Sequence, residues 1–483
     1  MCALFLFAAG VQAWGDYRDD IGYVRLAQEL GASMPTGSNV PVTQVESPIG
    51  SDYMPDTNDT VFAGKVFSNA TASSTGFTGH ATSVGYYLYS IGTSVASGIP
   101  RIVNYKADSW GQGDYLHDGT TNAPDIETNR VQNHSWINYW TGATGAVRRL
   151  DYAIERDRFT AVVAIHTTNS EAIPEMMAAC YNTIAVGKTD GNHSRGTTTI
   201  DGAGRARPEI VVPLGATSFA TPVVSAAAAL LIDKALRDAD PDGTRPQVIK
   251  ALLLSGATKD QFTNWDHTAE RPLDDVYGAG QISVYNSYKV LEAGRQTASS
   301  TSLVQRAGWD FHSIAGGTNA LWFFDVPSNM VMTRLSAVLS WHRQVTDGPG
   351  VGFDPQSALP ALDLFFQRAT NFGAASVVDV STSRIDNVEH IYQRYLPSGR
   401  YVLEVRADDA TDFALAWWSQ IALIPQMTNA SYTSGTFRIT AAVSSNVPHL
   451  VEAITNLMNT NDWICIGTNT PVAATLLFDD TNA

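Results

Sequence analysis

The sequence predicts an α/β domain followed by all-β modules, and hydrophobic patterning is the basis of both predictions. Between about residues 37 and 297, short apolar runs alternate with segments whose apolar residues recur every three or four positions. This alternation indicates a mostly parallel sheet with helices on both faces. After about residue 303 the helical period disappears, and short apolar runs separated by turn residues indicate a β-sandwich.

The individual elements follow from length and periodicity. The run 161–165 is continuous and apolar, as expected of a buried parallel strand, and 40–45 has an imperfect strand-like alternation. Helices are predicted at 145–158, where Val147, Leu150 and Ile154 share one face, at 246–254, and in a stretch ending at Leu291. Strands of this kind end at one edge of a parallel sheet, where ligands usually bind.

Ser218 is the residue of greatest interest. It lies in Gly-Ala-Thr-Ser-Phe-Ala-Thr-Pro (215–222), at the start of a small-residue run that is typical of a buried helix. A hydroxyl at a helix N-terminus faces unpaired N–H groups and the positive end of the helix dipole, so negative charge that develops there is stabilised. Pro222 is expected in the first turn, where its missing N–H costs nothing. Simple helix capping is the alternative role for Ser218.

A serine nucleophile requires a base, and the base requires an acid that orients it. Upstream, Thr-Gly-His-Ala-Thr-Ser-Val-Gly (78–85) places His80 at the start of a second helix-like stretch, and Asn169 follows the strand at 161–165. In this order the motifs resemble those of the subtilisin-like serine peptidases (subtilases). The resemblance covers about residues 37–297 and implies that His80 is the base, Ser218 the nucleophile and Asn169 an oxyanion donor.

The acid departs from the family pattern, in which an aspartate ends the first strand. Glu46 occupies that position here, 34 residues before His80, and glutamate orients the histidine in some hydrolase triads. Asp52, in a Gly-Ser-Asp context six residues later, is the alternative acid. Two further departures are Ala216 and Thr168, where the family usually has glycine.

The resemblance also predicts the peptide groove. Residues 131–136 lie where the family has a substrate-binding strand, so Ser135 and Trp136 are expected to line the groove by backbone pairing, and Thr168 to form part of the adjoining pocket wall. A buried core position is the alternative for Trp136.

Four domains are predicted. Residues 1–13 resemble the apolar region of a signal peptide, without a basic segment before it. A peptidase domain follows at 14–297, then a β-sandwich at 303–422 with strand-like runs at 321–327, 335–341, 362–366 and 399–405, and a small β module at 427–483. The two C-terminal modules resemble accessory domains of secreted subtilases and carry no recognisable chemistry.

Composition limits the partners. A net charge of −16 argues against nucleic acid and anionic membranes, and apart from the N-terminus no apolar run is predicted to span a membrane. Cys2, Cys180 and Cys465 form no disulfide framework or metal motif. No cofactor is required, and no acidic loop matches the calcium sites of relatives. The oligomeric state is open.

The sequence therefore predicts a secreted serine endopeptidase acting on proteins or peptides. Two alternatives remain open at this point. One is an inactive subtilisin-like binding or adhesion protein, which the three departures from the family pattern would suit. The other is an esterase that uses the same nucleophile.

Overall fold

The computed structural model describes residues 16–71, 76–138, 143–174, 176–202, 204–446, 449–453 and 464–480. The predicted signal segment, 1–13, lies outside these residues. The helices are α1 (Tyr17–Asp20), α2 (Tyr23–Leu30), α3 (Gly79–Leu88), α4 (Ala107–Ser109), α5 (Thr144–Asp157), α6 (Thr217–Arg237), α7 (Pro246–Gly256) and α8 (Val284–Glu292).

The strands of the N-terminal half are β1 (Val42–Glu46), β2 (Val66–Asn69), β3 (Arg101–Lys106), β4 (Val131–His134), β5 (Thr160–Ala164), β6 (Ile184–Lys188), β7 (Gly196–Thr198), β8 (Arg205–Arg207) and β9 (Ile210–Val212). Seven of them form a parallel sheet in the order β2-β3-β1-β4-β5-β6-β9. The predicted strand at 161–165 and the helix at 145–158 are both present, differing only at their terminal residues.

The sheet is buried because helices cover it. Every residue of β1, β4, β5 and β6 is buried, as expected for parallel strands covered on both faces. On one side lies α6, whose alanine-rich middle is fully buried and allows the helix to pack closely against the sheet. This helix is long and apolar enough to span a membrane, but most of it is buried inside the fold. The α/β fold class is thus confirmed.

The strands of the C-terminal half are β10 (Ala307–Ile314), β11 (Thr318–Val326), β12 (Met330–Trp341), β13 (Gln344–Asp347), β14 (Pro355–Ala358), β15 (Leu362–Thr370), β16 (Gly373–Ser381), β17 (Val388–Leu396), β18 (Gly399–Ala407), β19 (Thr411–Leu423), β20 (Gln426–Thr433), β21 (Thr436–Ala442), β22 (His449–Ala453), β23 (Ile464–Asn469) and β24 (Thr475–Asp480). Two antiparallel four-stranded sheets, β10-β19-β12-β17 and β11-β18-β15-β16, enclose an aromatic-rich core. The all-β prediction for this half is confirmed.

The sandwich packs firmly against the α/β part. Helix α7 is buried along its whole length, and its residues belong to the same apolar cluster as residues of β10, β12, β17 and β19. A helix that is apolar all round needs cover on every side, and the sandwich supplies the cover that the parallel sheet does not.

A buried ion cluster fixes this interface. Arg343, between β12 and β13, lies 2.6 Å from Asp151 of α5 and 2.5 Å from Asp201, and all three side chains are at most 5% exposed. Its backbone N–H also donates to Asn182 Oδ1. Because a buried charge is costly unless it is paired, these contacts require the sandwich to stay in one position on the α/β part.

Candidate active site

The site lies at the edge of the parallel sheet where β1, β4 and β5 end. Glu46 is the last residue of β1, and its side chain is 1% exposed. His80 is the second residue of α3, whose start is capped by Thr78 Oγ1 accepting from Ala81 N–H at 3.0 Å. Glu46 Oε2 lies 2.8 Å from His80 Nδ1, a short hydrogen bond between the two predicted partners.

Two further side chains, which the sequence motifs do not reveal, hold the glutamate. Gln44 Nε2 donates to Glu46 Oε1 at 3.0 Å and to the Ala81 carbonyl at 3.0 Å. The hydroxyl of Tyr89 donates in turn to Gln44 Oε1 at 2.6 Å. Both Glu46 oxygens therefore have partners, and the carboxylate is held by a continuous chain of hydrogen bonds. Gln44 is two residues before Glu46, so it points to the same side of the strand.

The rival acid, Asp52, lies elsewhere. Its backbone and that of Ile49 exchange two hydrogen bonds in a tight turn, and its carboxylate accepts from Ser51 Oγ at 3.3 Å. The carboxylate that is hydrogen-bonded to His80 Nδ1 is that of Glu46.

Burial and pairing shift the pKa of both groups. Burial raises the pKa of Glu46, which the hydrogen bonds from His80 and Gln44 partly counteract. The hydrogen bond with Glu46 raises the pKa of His80 above 6.5, against the opposing effect of its own partial burial. The glutamate thus makes His80 a stronger base than a free imidazole.

Ser218 is the second residue of α6, one residue inside the helix. The capping position is held by Ala216, whose side chain caps nothing, so the alternative role of Ser218 as a helix cap does not apply. The serine is half-buried. Among the described residues, its backbone N–H has no recorded acceptor, as expected for an N–H of the first helical turn.

The expectation for Pro222 is wrong. Because α6 begins at Thr217, Pro222 lies in the second turn of the helix rather than the first. A residue at this position normally donates its N–H to the carbonyl four residues earlier, which is that of Ser218. Proline has no N–H to give, so the helical hydrogen bond to the Ser218 carbonyl is absent.

Aromatic contacts join the histidine helix to the serine helix. The ring of Phe219, next to Ser218, lies 6.3 Å from that of His80 and stacks on Tyr87 with centroids 5.5 Å apart. No hydrogen bond between His80 and Ser218 is recorded in the part of the chain that the structure describes. Catalytic hydrogen bonds are often long in ligand-free enzymes and tighten when substrate binds.

The end of β5 is tied to the start of α6 by two threonines. Thr217 Oγ1 donates to the Ile165 carbonyl at 2.7 Å and lies 2.8 Å from Thr167 Oγ1, which also accepts from Thr217 N–H at 3.4 Å. These bonds fix the position of the helix end that carries Ser218. No sequence motif includes Thr167, although its position between the strand and Asn169 could have indicated a role at the site.

Asn169 lies in the exposed turn after β5, and its backbone N–H donates to Asn192 Oδ1 at 3.4 Å. Thr168 is also exposed, with its N–H donating to His166 Nδ1 at 3.2 Å. Both residues therefore lie on the surface, directly after Thr167 in the chain.

Ser135 and Trp136 follow β4 directly and are 2% and 9% exposed. Ser135 Oγ accepts from Asn133 Nδ2 at 2.9 Å, and Asn133 Oδ1 accepts from Ser225 of α6 at 2.9 Å. The Ser135 side chain therefore points into the interior. Trp136 packs against Trp110 and His134, as the alternative of a core position expects, and it also lines a surface cavity.

Within the described ranges, no group of three or more His, Cys, Asp or Glu side chains is placed to hold a metal ion. Cys180 is buried and Cys465 exposed, and both are free thiols. The candidate site consists of the paired imidazole and carboxylate near a helix-start serine, at one edge of the parallel sheet of a subtilisin-like α/β fold.

Comparison with known proteins agrees. Residues 60–280 match the model of the Subtilase family. The match begins at residue 60, so it does not include Glu46 at the position of the acid. The match supports the predicted serine-peptidase class for this part of the chain.

Solved structures similar to the chain include the self-cleaved protease domain of PatA, with 18% identity over 54% of this chain and 98% of that one and a TM-score of 0.36. Another is the Prenylagaramide maturation protease PagA, with 16% identity over 56% of this chain and 98% of that one and a TM-score of 0.38. No curated protein sequence matches.

Proposed function

We propose that the protein is an active serine endopeptidase that cleaves peptide bonds through an acyl-enzyme. The observation that carries the proposal is the 2.8 Å hydrogen bond between the buried Glu46 carboxylate and His80 Nδ1. With Nδ1 protonated and bound to the carboxylate, Nε2 carries the lone pair and is free to accept a proton. An inactive descendant of the family would have no need to keep this pair and its Gln44 support.

In the first half of the reaction, Ser218 Oγ attacks the scissile carbonyl carbon while its proton passes to His80 Nε2. Glu46 stabilises the imidazolium that forms, without taking the proton itself. The backbone N–H of Ser218 and the side-chain amide of Asn169 donate to the oxyanion. We assign the Asn169 role on the family resemblance and on its place beside Thr167, and it requires the exposed turn to close over bound substrate.

In the second half, His80 gives its proton to the leaving amine as the C–N bond breaks, which leaves the acyl group on Ser218 Oγ. Water then attacks the ester carbonyl and transfers a proton to His80, and the carboxylic acid product leaves as the serine recovers its proton. No cofactor takes part in these steps.

Hydrolysis of casein by the purified full chain, compared with Ser218→Ala, tests this proposal. The wild type should release peptides, and the variant should release none while keeping the wild-type circular dichroism spectrum and melting temperature. Turnover by pure, folded Ser218→Ala would refute the assignment. Turnover of small esters without casein hydrolysis would identify an esterase, and inactivity of the wild type on both would favour a binding protein.

We further propose that the protein is exported, on the basis of the apolar segment 1–13 and the acidic surface charge. Expression of the full sequence in a secreting host tests this. Mature protein in the medium with a new N-terminus after about residue 13 is the expected result, and full-length protein retained inside the cell would refute it.

A further inference from the structure

A cavity of about 300 Å³ lies close to the Glu46–His80 pair. It is formed where the chain leaves β3 and β4, and its walls include Ala107, Asp108 and Gln112 on one side and Trp136, Asn138 and Met176 on the other. None of these residues has a role in the bond-breaking steps described above.

The register of the sheet places this cavity next to the catalytic pair. Strand β1 runs between β3 and β4, with Glu46 opposite Lys106 and Val45 opposite His134. Asp108 and Trp136 therefore lie within a few residues of the level of Glu46, one on each side of it. Asp108 lies two residues past the end of β3, in α4, and one strand away from β1, so at about 4.8 Å between strands the cavity is on the order of 10 Å from Glu46. This is the length of about three residues of an extended peptide, so the cavity is within reach of a substrate side chain near the scissile bond.

The cavity has a mostly polar lining with one charge, and Trp136 and Met176 are its apolar members. Trp136 is 9% exposed and Met176 2%, so each presents only a small part of its side chain to the cavity. Asp108 is exposed and is the only charged residue among the described residues of the lining. In the described part of the chain, its carboxylate has no recorded ion pair or hydrogen bond.

This combination matches a basic side chain. The aliphatic stem of lysine or arginine packs on apolar surface while its charged head reaches a polar group, and a tryptophan ring attracts such a head further. An acidic substrate residue would be repelled by Asp108, and a purely apolar one would remove water from the carboxylate without replacing its hydrogen bonds. The net charge of −16 favours the approach of basic peptides in the same direction.

We propose that this cavity is a specificity pocket for a lysine or arginine side chain of the substrate, with Asp108 as the residue that selects it. The proposal rests on the proposed peptidase function for its catalytic consequence. The binding preference itself needs only a bound peptide, so it is measurable without turnover.

The first test measures kcat/KM for peptides built around a cleavage site mapped in casein. Each of the residues flanking the scissile bond is occupied in turn by lysine or by norleucine, which has nearly the same length without the charge. At one position we expect lysine to be favoured about three- to tenfold, the effect of a solvent-accessible charged contact. Asp108→Asn should abolish this preference, and Asp108→Lys should favour glutamate at the same position.

Glu270→Gln is the matched control, since Glu270 is an exposed acid in a loop that does not line the cavity. It should keep the lysine preference of the wild type. Equal rates for lysine and norleucine at every position, or a lysine preference that survives Asp108→Asn, would overturn the proposal.

The second test uses Ser218→Ala and fluorescence anisotropy with a set of casein-derived peptides and their lysine-to-norleucine counterparts. These peptides need no mapped cleavage site, so the test gives a result even if the wild type fails to hydrolyse casein. Tighter binding of the lysine peptide, lost on adding Asp108→Asn, would support the pocket while the peptidase proposal fails. Equal binding of both peptides would overturn the pocket, whatever the casein assay shows.

Discussion

Replacing Glu46 by glutamine is the sharpest perturbation of the site. The amide keeps the size of the side chain and removes the charge that faces His80. Because the carboxylate is 1% exposed, water screens the pair weakly. Two unit charges with centres about 4 Å apart, in an effective dielectric of about 20, attract by about 4 kcal/mol. This attraction is present when the imidazolium forms and is lost in the variant.

A loss of about 4 kcal/mol in the transition state corresponds to about a 10³-fold fall in kcat. Loss of control over the histidine tautomer adds to this, so we expect kcat for peptide hydrolysis to fall between about 10³- and 10⁴-fold. The acid limb of the pH profile should move as well. Glu46 raises the pKa of His80 above 6.5, so wild-type kcat/KM should fall as the pH drops through that raised value. In Glu46→Gln the fall should occur at lower pH.

Two tyrosines, Tyr86 in α3 and Tyr89 directly after it, provide a graded comparison. Tyr89→Phe removes the hydroxyl that holds Gln44 and should lower kcat by about tenfold, the effect of one buried hydrogen bond. Tyr86→Phe removes a hydroxyl that bonds to Asp59, away from the site, and should leave kcat unchanged.

If Glu46→Gln keeps kcat within tenfold of the wild type and the acid limb of the pH profile stays in place, Glu46 is not the triad acid.

Three further changes test other parts of the structure. Arg343→Ala leaves the buried Asp151 without an ion-pair partner and removes one of the two arginines that pair with Asp201, so it should lower the free energy of unfolding by about 3–5 kcal/mol in denaturant titration. Arg384→Ala on the sandwich surface should cost less than about 1 kcal/mol, and similar losses in the two variants would refute the buried cluster. Burial lowers the pKa of Lys259 from 10.5 to about 7. Between these two pH values Lys259 is protonated in the unfolded chain and not in the folded one, so the free energy of unfolding should rise with pH. Lys259→Met should remove this rise, and a dependence of stability on pH that the substitution leaves unchanged would contradict the burial. Thr167→Val removes the hydrogen bonds between Thr167 and Thr217 at the start of α6, so it should lower kcat about tenfold with little change in KM. An unchanged kcat would exclude a role of Thr167 in positioning Ser218.

Much of the site could be predicted because its residues lie in short local motifs. Ser218 and His80 each begin a helix, and the residue types around them were visible in the sequence. Glu46 was found by its place at the end of a strand-like alternation, since β1 runs from Val42 to Glu46.

What the sequence did not reveal depends on contacts between distant segments. Arg343 meets Asp151 across 192 residues, and no local pattern connects them. Tyr89 reaches Gln44 only because α3 packs over β1. The position of Pro222 was misjudged because the start of α6 depends on the bonds between Thr217, Thr167 and Ile165 rather than on helix propensity.

The central claim is that His80, held by Glu46, activates Ser218. The rate of labelling by a fluorophosphonate, measured against pH with the modified residue identified by mass spectrometry, tests it most directly. We predict a single label on Ser218, formed at a rate that rises with pH through a pKa above 6.5 and that falls to background in His80→Ala. No label on Ser218, or labelling that His80→Ala leaves unchanged, would contradict the account.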